Sequence, residues 1–198
     1  MEQSKYYIFN LAGVLINFQP KDYLNSLGYT MQIAQELGTT VFQSEIFHKV
    51  DRGEMTFFEG VSLFVKENSN SKISQDVAKI LTTEWFSVLK ENLELIRLLD
   101  TLHKNGDHLF IAAVFSKDGL AYMKKCFNFF DLFNDIVISS EIGSISPEEL
   151  YNTLIVRNSL STAQLTLIDN NPINLGIAKK MGLKTIQYTS IQDLKKQM

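Results

Sequence analysis

The chain is poor in the residues that mark several large protein classes. It has one cysteine, Cys126, in 198 residues, so it carries no disulfide framework and no multi-cysteine zinc site. A lone thiol fits a reducing compartment. Three prolines exclude Pro-rich linkers. Charge of one sign is also lacking: 19 Lys and Arg stand against 22 Asp and Glu, a net charge of −3. No basic field exists to neutralise the phosphates of a nucleic acid or of an anionic lipid surface. The apolar runs are strand-length, far below the ~20 residues of a membrane span. The opening MEQSKYYIFNLAGVLINF has a single Lys before an apolar stretch that Asn10 and Asn17 interrupt. An export signal wants a basic start, an unbroken apolar run and a small-residue cleavage site. The expectation is a cytoplasmic protein that binds neither nucleic acid nor membrane.

What is present is an ordinary globular composition, 45% hydrophobic and 21% charged, in a chain long enough to bury a core unaided. Its patterning changes along the chain. Residues 5–16 begin with a β-rich run, YYIF, that stops at Asn10 and is followed by a loop, Leu11-Ala12-Gly13, and a second short apolar run, VLINF. A buried strand ending in a polar loop has this form. From Pro20 to about Lys90 apolar residues recur at three and four, as in Val41, Phe42, Ile46, Phe47 and Val50, which is helical spacing. Asp51-Arg52-Gly53 and residues 68–71 break it, and Thr56 with Glu59 forms a capping-box pattern. Strands then alternate with helices. Strands are expected over 108–115, 136–139, 165–168 and 183–188, and helices over 92–105, 117–127, 147–157 and 172–181.

Such alternation argues an α/β fold: a Rossmann-like parallel sheet core flanked by helices, with a small helical cap inserted after the first strand. The core is expected over 1–17 and 89–198 and the cap over 18–88. Ligands of open α/β sheets bind beyond the carboxyl ends of the strands. Four such ends are identifiable: Asn10 to Gly13, Ala113 to Ser116, Ser139 to Ser146, and Asp169 to Asn171. The cap leaves from the first and can roof the crevice.

These four loops resemble the four motifs of the haloacid dehalogenase-like (HAD) hydrolase superfamily. YYIFNLAGVLINF resembles its first motif, and HLFIAAVFSKDGLAYMKKCFNFFDLFNDIVISSEIG the second with the elements that follow it. SSEIGSISPEELY resembles the third, LTLIDNNPINLGIAKKMGLKTIQY the fourth, and VDRGEMTFFEG the helical cap of phosphatase-like members. The likeness spans nearly the whole chain in order. It implies an Asp nucleophile at the end of the first strand, acting on a phosphoester or a carbon–halogen bond. It further implies Mg²⁺ bridging that Asp, a nearby backbone carbonyl, an acidic residue of the fourth motif and the phosphate. A Ser or Thr of the second motif and a Lys of the third would hold the phosphoryl oxygens. A carboxylate approaching a dianion needs the metal and the cation to cancel repulsion.

The residues themselves depart from that pattern. Asn10 stands at the nucleophile position, and a neutral amide forms no acyl phosphate. Ala12 stands where many members carry an acid/base Asp, although a Gly-type variant of the motif lacks it too. Ala113 occupies the Ser/Thr position, with Val114 beside it and Ser116 three residues out of register. No Lys occurs between Lys125 and Lys179, so Ile145 or Ser146 takes the lysine's place. Asp169 survives, followed by Asn170. Nucleophile, hydroxyl, lysine and one carboxylate are all missing, whereas a single engineered exchange would remove only one.

Structural roles compete with functional ones for these residues. Asn171 before Pro172 suits a helix start, and Asp169 then either accepts loop N–H groups or retains weak metal binding. Asn10 is read as organising its own loop and Ser116 as a helix N-cap. His48, His103 and His108 show no metal-ligand spacing. Cys126 is read as a core thiol near Tyr122 and Phe129, and Lys195-Lys196 as a solvated tail. Phe127, Phe129, Phe130 and Phe133 are read as core or interface, and the cap aromatics as packing on one another.

The first expectation is thus a catalytically inactive pseudo-phosphatase acting by binding. Its partner would be a small molecule in the crevice under the cap, a protein or a second copy of the chain. No cofactor is expected, with any Mg²⁺ weak or lost at Asn10 and Asp169. The competing expectations are an active Mg²⁺-dependent hydrolase of a small phosphorylated metabolite with atypical residues, and a structural scaffold.

Overall fold

The computed structural model describes residues 4–198; residues 1–3, which open the stretch read for an export signal, lie outside the described residues. The elements run β1 (Tyr6–Phe9), β2 (Ile16–Phe18), α1 (Lys21–Ser26), α2 (Met31–Glu36), α3 (Glu45–Asp51), α4 (Phe57–Glu67) and α5 (Lys72–Ile80). They continue with β3 (Leu89–Glu91), α6 (Leu93–Lys104), β4 (His108–Ala113), α7 (Lys117–Cys126), β5 (Asp135–Ile138) and α8 (Ser139–Ile142). Then follow α9 (Pro147–Arg157), β6 (Leu165–Asp169), α10 (Pro172–Lys180), β7 (Lys184–Gln187) and α11 (Ile191–Gln197).

Five strands form a parallel sheet in the order β5-β4-β1-β6-β7. Successive strand side chains point to opposite faces, and the core divides accordingly. Tyr7, Phe9, Leu109 and Ile111 pack with Leu95 and Leu99 of α6, Met123 of α7 and Leu194 of α11. Ile8, Phe110 and Leu167 pack on the other face with Leu150 and Leu154 of α9 and Ala178 of α10. Each fully buried side chain of this size contributes about 1.5–3 kcal/mol. Both faces being covered explains why β1 reads as a continuous apolar run.

The helices between β2 and β3 enclose a separate apolar cluster, with Leu24, Leu37, Val41, Phe47, Val50, Phe64, Val77 and Trp85 at its centre. The capping box of Thr56 and Glu59 is present at the start of α4. The aromatics do pack on one another: Phe42 with Phe47, Phe47 with Phe57, and Phe57 with Phe58, with ring centroids 5.2–5.7 Å apart. β2 and β3 pair antiparallel, so both chain crossings between sheet and cap run through one two-stranded ribbon.

Three contacts fix the cap on the sheet. Asp118 of α7 accepts the Phe57 N–H at the first turn of α4, 2.6 Å away, where a carboxylate also meets the positive helix end. Phe86 bridges Phe57 of the cap and Tyr122 of α7, with centroids 5.0 and 5.5 Å away. Gly53, after α3, has φ +74°, and a Cβ there would strike the Ser140 backbone. Gly53→Ala is therefore expected to cost about 2 kcal/mol or more, since backbone cannot give way as a flexible side chain can. Gly28→Ala is the control: Gly28 has φ +79° but open space around it, so it should lose about 1 kcal/mol from conformation alone. Urea midpoints of the two variants check the difference.

The expected element order is observed, with local corrections. The apolar run VLINF contributes β2 through Ile16–Phe18, while Leu11, Val14 and Leu15 are buried within the loop before it. The strand expected to reach Phe115 ends at Ala113, and Ser139, read as the end of a strand, opens α8. Cys126 is exposed rather than a core thiol. The buried stripe of α7 ends at Met123, and Phe127 and Phe129 beyond the helix take over the apolar contact. Lys195 and Lys196 are exposed, but they sit on α11, which Ile191 and Leu194 hold against the sheet.

Candidate functional site

Sheet register builds the site. Phe9 pairs with Ile168 on one side and Ile111 on the other. Asn10 and Asp169, each one residue further, therefore emerge side by side at the carboxyl edge, beneath the cap. The Asn10 N–H extends the ladder to the Ile168 carbonyl at 3.0 Å.

The Asn10 side chain has a defined orientation. Its Oδ1 accepts the Leu11 N–H at 2.8 Å. Its Nδ2 faces three oxygens: the Ala12 carbonyl at 3.3 Å, Asp169 Oδ1 at 3.2 Å and Asn170 Oδ1 at 3.4 Å. An amide nitrogen has two hydrogens for these three acceptors, so at least one is shared. Turning the amide over would leave the Leu11 N–H without its partner and set an amide oxygen against a carboxylate.

Asp169 is almost completely buried and fully engaged. Oδ1 accepts from the Asn171 N–H at 2.8 Å as well as from Asn10, and Oδ2 accepts from Asn174 Nδ2 at 2.9 Å. Burial pushes its carboxyl above the usual range, against the opposing pull of these hydrogen bonds. Asn171 caps α10 with Pro172 in the first turn. A carboxylate here is held by three asparagines: the cap residue Asn171, the loop residue Asn10, and Asn174 of α10, which no local sequence signal marks.

The other predicted positions separate into two groups. Ala113 is buried in β4, while Val114 and Ser116 line the crevice. Ser116 caps α7 through the Gly119 N–H at 3.2 Å. Ser146 caps α9 through the Glu149 N–H at 3.4 Å, so its hydroxyl serves its own helix. Ser139, at the predicted strand end, and its neighbour Ser140 tie the second and third loops together by bonds to Phe115 N and O of 2.9 and 2.7 Å.

Between the loops and the cap lies a cavity of about 430 Å³, within the range of small-molecule sites. Ala12, Gly13, Val114 and Ser116 form its floor, and Phe42, Phe47, Phe57 and Trp85 its walls. No Lys, Arg or His is among its lining residues. Its one ionisable lining residue is Asp51, the last residue of α3. Burial pushes this carboxyl up to about 6, against the weaker pull of His48 and Arg52. Arg52 is occupied elsewhere, by Glu45 at 2.7 Å and Glu54 at 2.6 Å. Asp51 left no signal in the sequence beyond standing at a helix break.

Among the described residues no group of three or more His, Cys, Asp or Glu side chains converges, and no helix is long and apolar enough to cross a membrane. No protein-family model and no curated protein matches the chain. Solved structures do. A HAD family enzyme of Bacteroides thetaiotaomicron, as an Asp-to-Ala variant with magnesium and inorganic phosphate, superposes with TM-score 0.76 at 18% identity, covering 98% of each chain. A HAD-like family hydrolase predicted in Porphyromonas gingivalis gives 0.71 at 16% identity, over 98% of this chain and 97% of that one. A dehalogenase gives 0.70 at 12% identity, over 94% and 85%. The chain has the fold of the HAD-like hydrolases.

Proposed function

We propose that this chain is a HAD-fold protein without phosphoryl transfer, which acts by binding a ligand in the crevice under its cap. The observation that carries this reading is the Asn10 amide. Its nitrogen lies among the Ala12 carbonyl, the Asp169 carboxylate and the Asn170 side-chain oxygen, and the first two are oxygen types that the resemblance assigns to Mg²⁺. A hydrogen-bond donor aimed at those oxygens does the neutral equivalent of the metal's work.

The residues present do not fit the metal. Mg²⁺ asks for near-octahedral hard oxygens at about 2.0–2.1 Å with carboxylate charge. Here there is one carboxylate, and its lone pairs already receive three hydrogen bonds. A phosphoryl dianion fares no better, since the crevice's one ionisable lining residue is the acidic Asp51 and no cation lines it. The asparagines thus replace a metal-dependent charge balance with a self-sufficient hydrogen-bond network.

Expected in a test is no turnover of a panel of phosphate esters with Mg²⁺ at neutral pH, and no rise in melting temperature with millimolar Mg²⁺. Turnover that disappears on Asp169→Asn would overturn the reading and favour an atypical hydrolase.

A further inference from the structure

We propose that the cavity under the cap binds a small hydrophobic amine, its hydrocarbon part against Phe42, Phe47, Phe57 and Trp85 and its ammonium on the Asp51 carboxylate. This deepens the reading above and rests on it, naming the ligand class for the same crevice. Three observations carry it.

The first is the wall chemistry. The Phe42 ring lies 5.9 Å from Trp85 and 5.2 Å from Phe47, so aromatic faces and edges surround the space. Aromatic faces attract an ammonium as well as hydrocarbon. The second is charge. Asp51 is the cavity's one ionisable lining residue, and among the described residues none hydrogen-bonds to its carboxylate. A carboxylate against apolar walls gains most from a cation that brings its own hydrocarbon. A bare divalent ion is a poor occupant, since a single carboxylate with aromatic neighbours lacks the oxygens it needs. The third is room. The chain widens into a π-turn over Leu37–Val41, and such turns often mark functional sites. Ala34 and Gly38 line the cavity there, and a Cβ on Gly38 would meet open space. At roughly 30 Å³ per small group, the cavity takes on the order of a dozen non-hydrogen atoms.

Burial raises the protonation range of Asp51 and outweighs the pull of His48 and Arg52, which supports the same picture.

The test uses four probes of one shape: 2-phenylethylamine, 2-phenylethanol, phenylacetate and phenyl phosphate. They are titrated into ¹⁵N-labelled protein and followed by amide shifts. The amine should move the amides of Gly13, Gly38, Asp51 and Ser116 and bind at least tenfold more tightly than the alcohol. Neither anion should bind. Asp51→Asn should weaken the amine at least tenfold and leave the alcohol within twofold. Gly38→Leu fills the cavity without a backbone clash and should abolish both, with an unchanged far-UV spectrum. Equal binding of phenylacetate, unchanged amine affinity in Asp51→Asn, or no shift with any probe would each overturn the proposal. None of these would restore phosphoryl transfer. Mg²⁺-dependent hydrolysis of phenyl phosphate would instead overturn the underlying reading, and the amine titration would still be readable.

Discussion

Asn10→Asp is expected to destabilise the protein at pH 7 by about 3 kcal/mol and to restore no phosphatase activity on its own. The exchange converts a donor 3.2 Å from Asp169 Oδ1 into a second carboxylate. Breaking a buried charge's partnership typically costs this order, because the remaining charge is left uncompensated. For a chain of this length the loss corresponds to roughly 6–12 °C in melting temperature. The sign of the pH dependence follows from the new pair. Like charges at this distance raise the folded-state pKa of one carboxyl above its unfolded value near 3.9. Below the unfolded pKa the penalty is absent, and it grows as pH rises through the raised one. The deficit against the parent should therefore shrink from pH 7 to pH 5. Mg²⁺ should also rescue the variant by mass action while leaving the parent unmoved. Activity needs more: Ala113 offers no hydroxyl and Ser146 no cation, so only the triple change with Ala113→Ser and Ser146→Lys supplies the missing parts. Thermal melts with and without Mg²⁺, beside a phosphate-ester assay, decide it. Strong turnover from Asn10→Asp alone would show that the rest of the site is intact.

The part of this site that lies on the sheet was readable because it depends on strand ends, and strand ends are local. YYIF stops at Asn10, LTLID at Asp169, and a parallel register then sets the two side by side. The helix caps were legible for the same reason: Ser116, Asn171 and Thr56 each act on an N–H two or three residues away. What could not be read depends on how separately folded pieces meet. Asp51 lies in the cap, and only docking of the cap on the sheet turns it into a cavity wall. Its sequence neighbours Arg52 and Gly53 mark a helix end and say nothing of the space beside it. The network around Asp169 failed to show at Asn174 because a helix residue five positions on is usually solvated. The helical spacing that groups Cys126 with apolar neighbours continues in the sequence past the point where the helix itself stops, so Cys126 is exposed. The ribbon of β2 and β3 is not legible in the sequence because the three-residue strands Ile16–Phe18 and Leu89–Glu91 carry no periodic signal.

Asp51→Asn is expected to stabilise the protein by about 2–3 kcal/mol at pH 8 and by well under about 1 kcal/mol near pH 4. Burial moves this carboxyl from its ordinary value of 3.8 to about 6 in the folded state, and each unit is worth 1.36 kcal/mol. Below the unfolded pKa both states are protonated and the shift has no consequence. Between there and 6 the unfolded chain releases its proton first, so the parent loses stability as pH rises. Above about 6 both states are ionised and the full cost of the buried charge is present. An amide keeps the shape and removes the titration, so the gap between variant and parent should open from pH 4 to 7 and then stay level. His48 and Arg52 oppose the shift. Arg52 is held by Glu45 and Glu54, and His48 lies 3.6 Å from Glu45, so neither is free to neutralise Asp51. Melting temperatures of the two proteins across pH 4–8 measure the gap directly, and a flat difference would show that Asp51 is solvated. A strongly shifted carboxyl in a cleft is a mark of a functional site. The same half-buried charge that lowers stability is what an ammonium-bearing ligand would neutralise. Saturating 2-phenylethylamine should accordingly raise the parent's melting temperature at pH 8 and leave that of Asp51→Asn nearly unchanged.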